Sequence, residues 1–349
     1  TDPAGSAPRC TPDNKHNNTR PGAENIFDSP RDDARDGSKK GSEPFSTKPP
    51  YVQHTASRRE RGSHPFFVVT GAGAMSVRLL ARCRKRRAAT ISVKCDFHVF
   101  DCHVHSEWSD CAEDVTLARL REVARAGAYR FAVTDHSAHI YFRPDHMWTL
   151  WEGNADALFD ACAEAGRRNC AEYIRSVREA QSDGMLVGVE LDVLTDGRLV
   201  FPADLLAELD VRVGAIHGVR AIARRLPPWG VVSEYKQQAR ALMRAGIHVL
   251  AHPFRQMLSA GYEVPDSLVR WVVEQAGRFG VALELNSHSR FPDTDLAMAE
   301  MALDAGVRLA VGTDAHQVHE LGDFSYQIAI AQEAGADPGR LAEAFWNGP

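Results

Sequence analysis

In the stretch FDCHVHSEWS, Phe100 to Ser109, His103 and His105 are separated by one residue. On an extended backbone this spacing puts both imidazoles on one face, because strand side chains repeat with period two. The carboxylate of Asp110 follows, and imidazole with carboxylate is a ligand set for divalent ions. More groups of this type recur downstream: Asp135 with His136, then Glu190, His217, His252, and Asp314 with His316. Such donors without thiolates suit zinc, manganese or iron. A carboxylate such as Glu190 can bridge two ions. Paired ions about 3.5 to 4 Å apart lower the pKa of a water between them and clamp the attacked and leaving oxygens of a phosphate ester. The chemistry this set points to is hydrolysis.

Positioning such a set requires a scaffold that brings distant residues to one place. Short apolar runs predict strands at Asp96 to Phe100, Arg130 to Val133, Leu186 to Val189, Val211 to Ile216, Ile247 to Leu250, Val281 to Leu285 and Arg308 to Val311. Helical patterns separate them, which predicts a parallel, barrel-like sheet. The candidate ligands follow the strands at their carboxyl ends, and in a β/α barrel those ends converge on one face. Leu117, Leu120, Val123 and Ala124 share a helical face before Gly127. Ser233 is the expected cap of a helix from Tyr235 to Ala245 that Gly246 ends; Asp266 and Gly280 bracket the next helix, and Gly306 ends the one after.

Residues 138–184 are too long for one short strand-to-helix loop. They predict an inserted lid or cap carrying Tyr141, Phe142, Trp148 and Trp151, followed by a long helix; these aromatics either cover the substrate or pack the insert onto the barrel. Residues 1–95 form a separate region with 18 Lys+Arg against 9 Asp+Glu, leaving 23 against 37 for the remainder. Rich in Pro, Gly, Ser and Asn, this basic leader cannot bury enough surface to order itself and is expected to be disordered, with Met75 as the natural start. Its cluster Arg82, Arg84, Lys85, Arg86 and Arg87 is either a solvated tail or a phosphate-backbone contact. Seven cysteines, an odd number with no CxxC pair, argue against a disulfide framework and for a reducing cytoplasm. No run reaches the roughly 18 apolar residues of a membrane span.

The segments HVHSEWSD, TDHS, VGVELDV, GAIHG, AHPFR, ELNSHSRFPD and VGTDAH, in this order and spacing, resemble the motifs of the PHP (polymerase and histidinol phosphatase) superfamily from residue 96 to about 330. The resemblance implies a distorted (β/α)7 TIM-like barrel over residues 96–349, with two or three divalent ions. His103, His105, Glu190 and Asp314 would hold one ion, Glu190, His217 and His252 a second, and Asp110, His136 and His316 a third; Cys111 is not expected to be a ligand. It also implies a metal-dependent phosphoesterase acting on a small phosphomonoester or nucleotide, in which a hydroxide bridging two ions attacks phosphorus. The leaving oxygen would take its proton from ion-held water or from His217 or His316, with Asp314 completing the catalytic set. Arg255, Arg290 and Arg143 are candidates to grip phosphate oxygens, as guanidinium allows. Asn286 is a further candidate, either for the substrate or, with Asp135, for orienting ligands; His139, His146, His248, His288 and His319 are not expected to be ligands. Two other readings remain open: a nucleic-acid-processing or polymerase-associated module using the basic leader, and amide or lactone hydrolysis by a related metal barrel.

Overall fold

The computed structural model describes residues 75–78, 92–95, 99–127, 129–143, 150, 155–337 and 341–349. The rest of the leader, including Arg82 to Arg87, lies outside these residues, as do His146, Trp148 and Trp151. Within the leader, β1 (Met75–Arg78) and β2 (Ser92–Cys95) pair antiparallel, Met75 opposite Cys95. A ladder thus stands in a region expected to lack structure.

Seven parallel strands then close a barrel: β3 (Phe100–Val104), β4 (Arg130–Val133), β5 (Met185–Leu191), β6 (Val211–Gly214), β7 (Val249–Leu250), β8 (Ala282–Asn286) and β9 (Leu309–Gly312), with β9 returning to β3. The (β/α)7 expectation holds. The first strand is the one placed differently: it begins at Phe100, where the sequence pattern ends it, so His103 lies inside a strand. The reason is Asp101, a carboxylate that hydropathy reads as a strand end. It is fully buried because Thr313 satisfies it, Oγ1 donating to Oδ2 at 2.6 Å and the backbone N–H to Oδ1 at 3.0 Å. Burial pushes its carboxyl up to about 7. The β3–β4 register slips between Asp101 and Val104, one source of the barrel's distortion.

Alternation along the strands fills the barrel in layers. Ala282, Glu284 and Asn286 share one face of β8, Leu186, Gly188 and Glu190 one face of β5, and Ala310 and Gly312 one face of β9, with Asp314 just beyond it. At the lower end, Ala282 and Ala310 join Phe100, Val211 and Val249 in a buried apolar cluster. Toward the carboxyl ends the same faces become acidic. Gly312 is required there: a Cβ on it would overlap the Glu284 carboxylate.

Outer helices cover the barrel. Thr116 caps Leu117–Arg125 by accepting the Arg119 N–H at 3.2 Å, and Leu117, Leu120 and Ala124 face the core. Gly280, at φ 69°, ends Asp266–Phe279 in the left-handed region. The helix expected to be capped by Ser233 instead starts at Pro228 and runs to Arg244. Proline is pre-organised for a first helical turn, and Val231, buried, extends the apolar stripe to include it. In the insert, Ser137–Tyr141 packs on the long helix Ala163–Ala180. Tyr141 stacks on Phe159 at 4.8 Å and fits over Gly166, whose missing side chain leaves room for the ring. Tyr141 and Phe142 are therefore core residues that fix the insert to the barrel.

Candidate metal centre

Six of the seven barrel strands contribute to one buried cluster. His103 projects from within β3 and His105 just past it, His136 follows β4, Glu190 lies in β5, His217 follows β6, His252 follows β7, and Asp314 and His316 follow β9. All are buried. Glu190 is the hub. Its oxygens lie 2.5 Å from His136 Nδ1, 3.0 Å from His252 Nε2, 3.3 Å from His217 Nε2, 3.5 Å from His103 Nε2 and 3.8 Å from His105 Nε2. Asp314 Oδ1 is a second centre, 2.8 Å from His105 Nε2 and 3.5 Å from His103 Nε2.

The histidines are held from behind. His103 Nδ1 meets Glu284 at 2.8 Å, His217 Nδ1 meets Asp192 at 2.6 Å, His105 Nδ1 meets Ser109 Oγ at 3.1 Å, and His316 Nδ1 meets the Asp314 carbonyl at 2.6 Å. A proton on each Nδ1 donates to these oxygens and leaves the Nε2 lone pair facing inward, the arrangement by which metal-ligating histidines are oriented. Glu284 also accepts the His252 backbone N–H at 2.6 Å and the Asn286 amide at 3.0 Å. His252 and Asp314 have φ of 26° and 52°. Non-glycine residues adopt this region at a cost, and such strain concentrates at functional sites.

Burial by itself would raise Glu190, yet the imidazoles of His136, His217 and His103 hold it well below the usual carboxylate range. Asp314 is held low in the same way, by His103 and by its bond from His105. Burial, with His136 and His316 nearby, keeps the His105 imidazole well below its ordinary value, and burial takes His316 down to about 4. His217 goes the other way: burial is outweighed by Glu190 and Asp192, and it rises to about 9.

The donor set fits divalent ions. The ligand atoms of His103, His105 and Asp314, of His103, Glu190 and His252, and of His105, His136 and His316 each lie within 4.8 Å of one another. His103 Nε2 and Glu190 Oε2 are buried without an aligned hydrogen bond. An unsatisfied buried polar atom costs roughly 1–3 kcal/mol, and a cation between these two would satisfy both.

Other expected residues divide. Asp110 is exposed, and its backbone N–H donates to His139 Nδ1 at 3.1 Å. Cys111 and His139 lie beside His136, close enough to form a donor group with it. Arg255 reaches the centre, 3.3 Å from Asp314 Oδ2. Arg143 instead donates to the Trp108 carbonyl and covers that ring at 4.7 Å. Arg290 is half-exposed, donating to the Ser287 carbonyl and lying 4.0 Å from Asp323. Neither guanidinium is directed into the cluster. The Asn286 side chain is committed to Glu284, to Asp314 at 3.2 Å and to the Ser289 N–H at 2.8 Å, so it orients carboxylates. Asp135 serves Ser106, accepting its N–H at 2.7 Å and its hydroxyl at 2.6 Å. His288 stacks on His316 at 4.5 Å and pairs with Glu320. Sequence reasoning missed Asp192, Glu284 and Ser109. Asp192 and Glu284 each carried a signal, lying two residues from Glu190 and Asn286 and so on the same strand faces.

No family profile matches the chain. The chain is 29% identical over 247 residues to the DNA polymerase/3'-5' exonuclease PolX of Bacillus subtilis, a match covering 70% of this chain and 39% of that protein. It is 25% identical over 245 residues to a probable phosphatase of Pectobacterium carotovorum, covering 67% of this chain and 84% of the relative. A probable phosphatase of Aeromonas hydrophila is 27% identical over 253 residues, with 70% and 89% covered. Among solved structures, a histidinol phosphate phosphatase from Lactococcus lactis complexed with zinc, L-histidinol and phosphate aligns with a TM-score of 0.42 at 12% identity, over 68% of this chain and 94% of that one.

Proposed function

We propose that this chain, which shares the motifs and barrel of the PHP superfamily, is a metal-dependent hydrolase of phosphoric ester bonds acting on a small phosphomonoester or nucleotide, as a histidinol phosphatase does. The observation that carries the reading is Glu190, one buried carboxylate with five imidazoles within 3.8 Å. His103, His105, Glu190 and Asp314 would hold one ion, Glu190, His217 and His252 another, and His136 and His316 with His105 or Asp110 a third. Two or three zinc, manganese or iron ions, when bound, lower the pKa of water and offset charge building on phosphorus.

The protein's own groups do the remaining work. Arg255, beside Asp314, is placed to hold a non-bridging phosphate oxygen through its guanidinium. Glu284 and Asp192 keep His103 and His217 in the tautomer that faces the centre. In the reaction the water oxygen bonds to phosphorus, the ester P–O bond breaks, and the departing oxygen takes a proton, giving an alcohol and inorganic phosphate. His217, raised to about 9, carries a proton at neutral pH while no ion is bound, whereas His316 does not. The proton for the departing oxygen would come from ion-held water or from His217 or His316.

Metal analysis combined with phosphate release over a panel of phosphomonoesters tests the reading. Two or more equivalents of metal and turnover of at least one compound are expected. Glu190→Gln should lose turnover while the protein stays folded by circular dichroism; full activity in that variant would refute the assignment. A second reading, a nucleic-acid-processing module, is favoured by the polymerase/exonuclease relative. Under it a salt-dependent gel shift with single-stranded DNA should appear, and should weaken when residues 1–95 are removed. Among the described residues no helix is long and apolar enough to cross a membrane.

A further inference from the structure

A cavity of about 220 Å3 opens against one side of the metal centre. His217 lines it where it meets the centre, and Gln256, the neighbour of Arg255, lines it nearby. Val193, Leu194, Val219 and Ile222 give it an apolar lining. Among the described residues its charged lining is electrically balanced. The Arg220 guanidinium is bound to Asp156, and Asp156 also accepts from the Thr195 hydroxyl and, at 3.2 Å, from its backbone N–H. The space admits a sugar-sized group.

We propose that this cavity seats the leaving alcohol, and that it selects phosphomonoesters of uncharged alcohols that fill it over those carrying a second anion. The inference rests on the phosphoesterase reading and deepens it by naming the substrate class. Three features carry it. The cavity is contiguous with His217, a side chain in direct reach of Glu190, so a group lying in it has its ester oxygen at the centre. The Arg220 charge is matched by Asp156, so a second phosphate or a carboxylate on the alcohol gains no unpaired cation and loses its hydration. The lining combines Val193, Leu194, Val219 and Ile222 with the polar Thr195 and Gln256, the pairing of an apolar surface with a few polar groups that small-molecule sites show.

The test compares methyl phosphate, ribose 5-phosphate and fructose 1,6-bisphosphate as substrates of the full chain as purified. The kcat/KM for ribose 5-phosphate should exceed each of the others at least about tenfold, the scale that pocket contacts of this kind supply. Ala223→Trp, at an exposed position on the cavity's rim, should lower the ratio of ribose 5-phosphate to methyl phosphate by about tenfold or more. Free ribose, followed by saturation-transfer NMR, should bind the parent protein and lose its signal in Ala223→Trp. An unchanged substrate ratio, or equal ribose signals in both proteins, would overturn the cavity's role. If no phosphomonoester is turned over, the phosphoesterase reading fails, and the ribose measurement still judges the cavity by itself.

Discussion

Gly312→Ala adds one methyl group at the point where β8 and β9 pass beneath the metal centre, Asn286 opposite Gly312. The backbone there is ordinary strand, so alanine brings no dihedral penalty. The whole effect falls on the Glu284 carboxylate, whose Oε1, Cδ and Cγ occupy the space the new Cβ would take. Backbone limits how far β9 can retreat, so Glu284 must move. It then gives up His103 Nδ1 at 2.8 Å, the His252 N–H at 2.6 Å and the Asn286 amide at 3.0 Å. Overpacking of this kind costs about 1–3 kcal/mol, or a melting temperature lower by roughly 3 to 10 °C for a domain of this size. Loss of the residue that orients a metal-ligating histidine costs about 10–100-fold in metal affinity. Competition titration with a zinc chelator reads the second effect and thermal unfolding the first. A double-mutant cycle isolates the cause: with Glu284→Ala in place the methyl meets no carboxylate, so Gly312→Ala should then cost at least about 0.5 kcal/mol less. Equal costs in both backgrounds, or a Gly312→Ala protein with unaltered zinc affinity, would refute the packing argument.

Three further outcomes follow from the same geometry. Asp192→Asn should release His217 from a fixed tautomer and weaken metal binding by about 10–100-fold, measured by the same competition titration; wild-type affinity would exclude an orienting role. Arg255→Ala should reduce kcat/KM for a phosphomonoester by tenfold or more, roughly the worth of a charge-assisted bond, while Arg143→Ala and Arg290→Ala change it by less than about threefold; a larger loss in either would return that residue to the substrate site. Asp295 is buried and its carboxyl is pushed up to about 6 by that burial. The folded state therefore holds this proton more tightly than the unfolded state, so stability from this group is present below pH 4 and falls as pH rises from about 4 to 6. The loss is up to about 3 kcal/mol. Denaturant unfolding at pH 4, 5, 6 and 7 should show that slope flatten in Asp295→Asn, and a slope that is unchanged would place the titration elsewhere.

Much of the fold and the site is legible in the sequence because strand periodicity and metal chemistry use the same residues. The apolar runs mark the strands, and polar residues immediately after them mark the ends at which a barrel gathers its ligands. That logic alone puts His136, Glu190, His217, His252, Asp314 and His316 on one face. It fails where a residue's neighbour across the barrel decides its role. Asp101 reads as a strand end until Thr313, two hundred residues away, satisfies it inside the strand. Glu284 passes as one more residue of an apolar strand run until Gly312 opens the space it fills. Arg290 follows a site-forming strand and Arg143 lies in the insert, but only the tertiary structure shows them turned to Ser287 and Trp108. For Asp101, Glu284 and Arg143 the deciding contact is between segments whose spacing along the chain carries no period.

Barrels of this kind fill their interior with stacked layers of side chains, mostly branched and apolar. Here the apolar layer stops at Ala282, Ala310 and Val249, and the layer above is carboxylates and imidazoles. Buried charges are retained only when each has a partner, and the imidazoles provide that for Glu190 and Asp314 at the cost of crowding. His105 and His136 rings lie 4.5 Å apart, His105 and His316 4.6 Å, and His136 and His217 4.9 Å. Burial lowers His105 and His316, with neighbouring imidazoles adding to it, whereas Glu190 and Asp192 outweigh burial at His217. Protons alone thus cannot neutralise the acids evenly. Divalent ions can, because each supplies two charges at one point and accepts several lone pairs at once. The strained backbones of His252 and Asp314 fit the same requirement, since each is a candidate ligand whose side chain turns inward at the end of its strand. The upper layer of this barrel is accordingly a binding site built in place of a hydrophobic core.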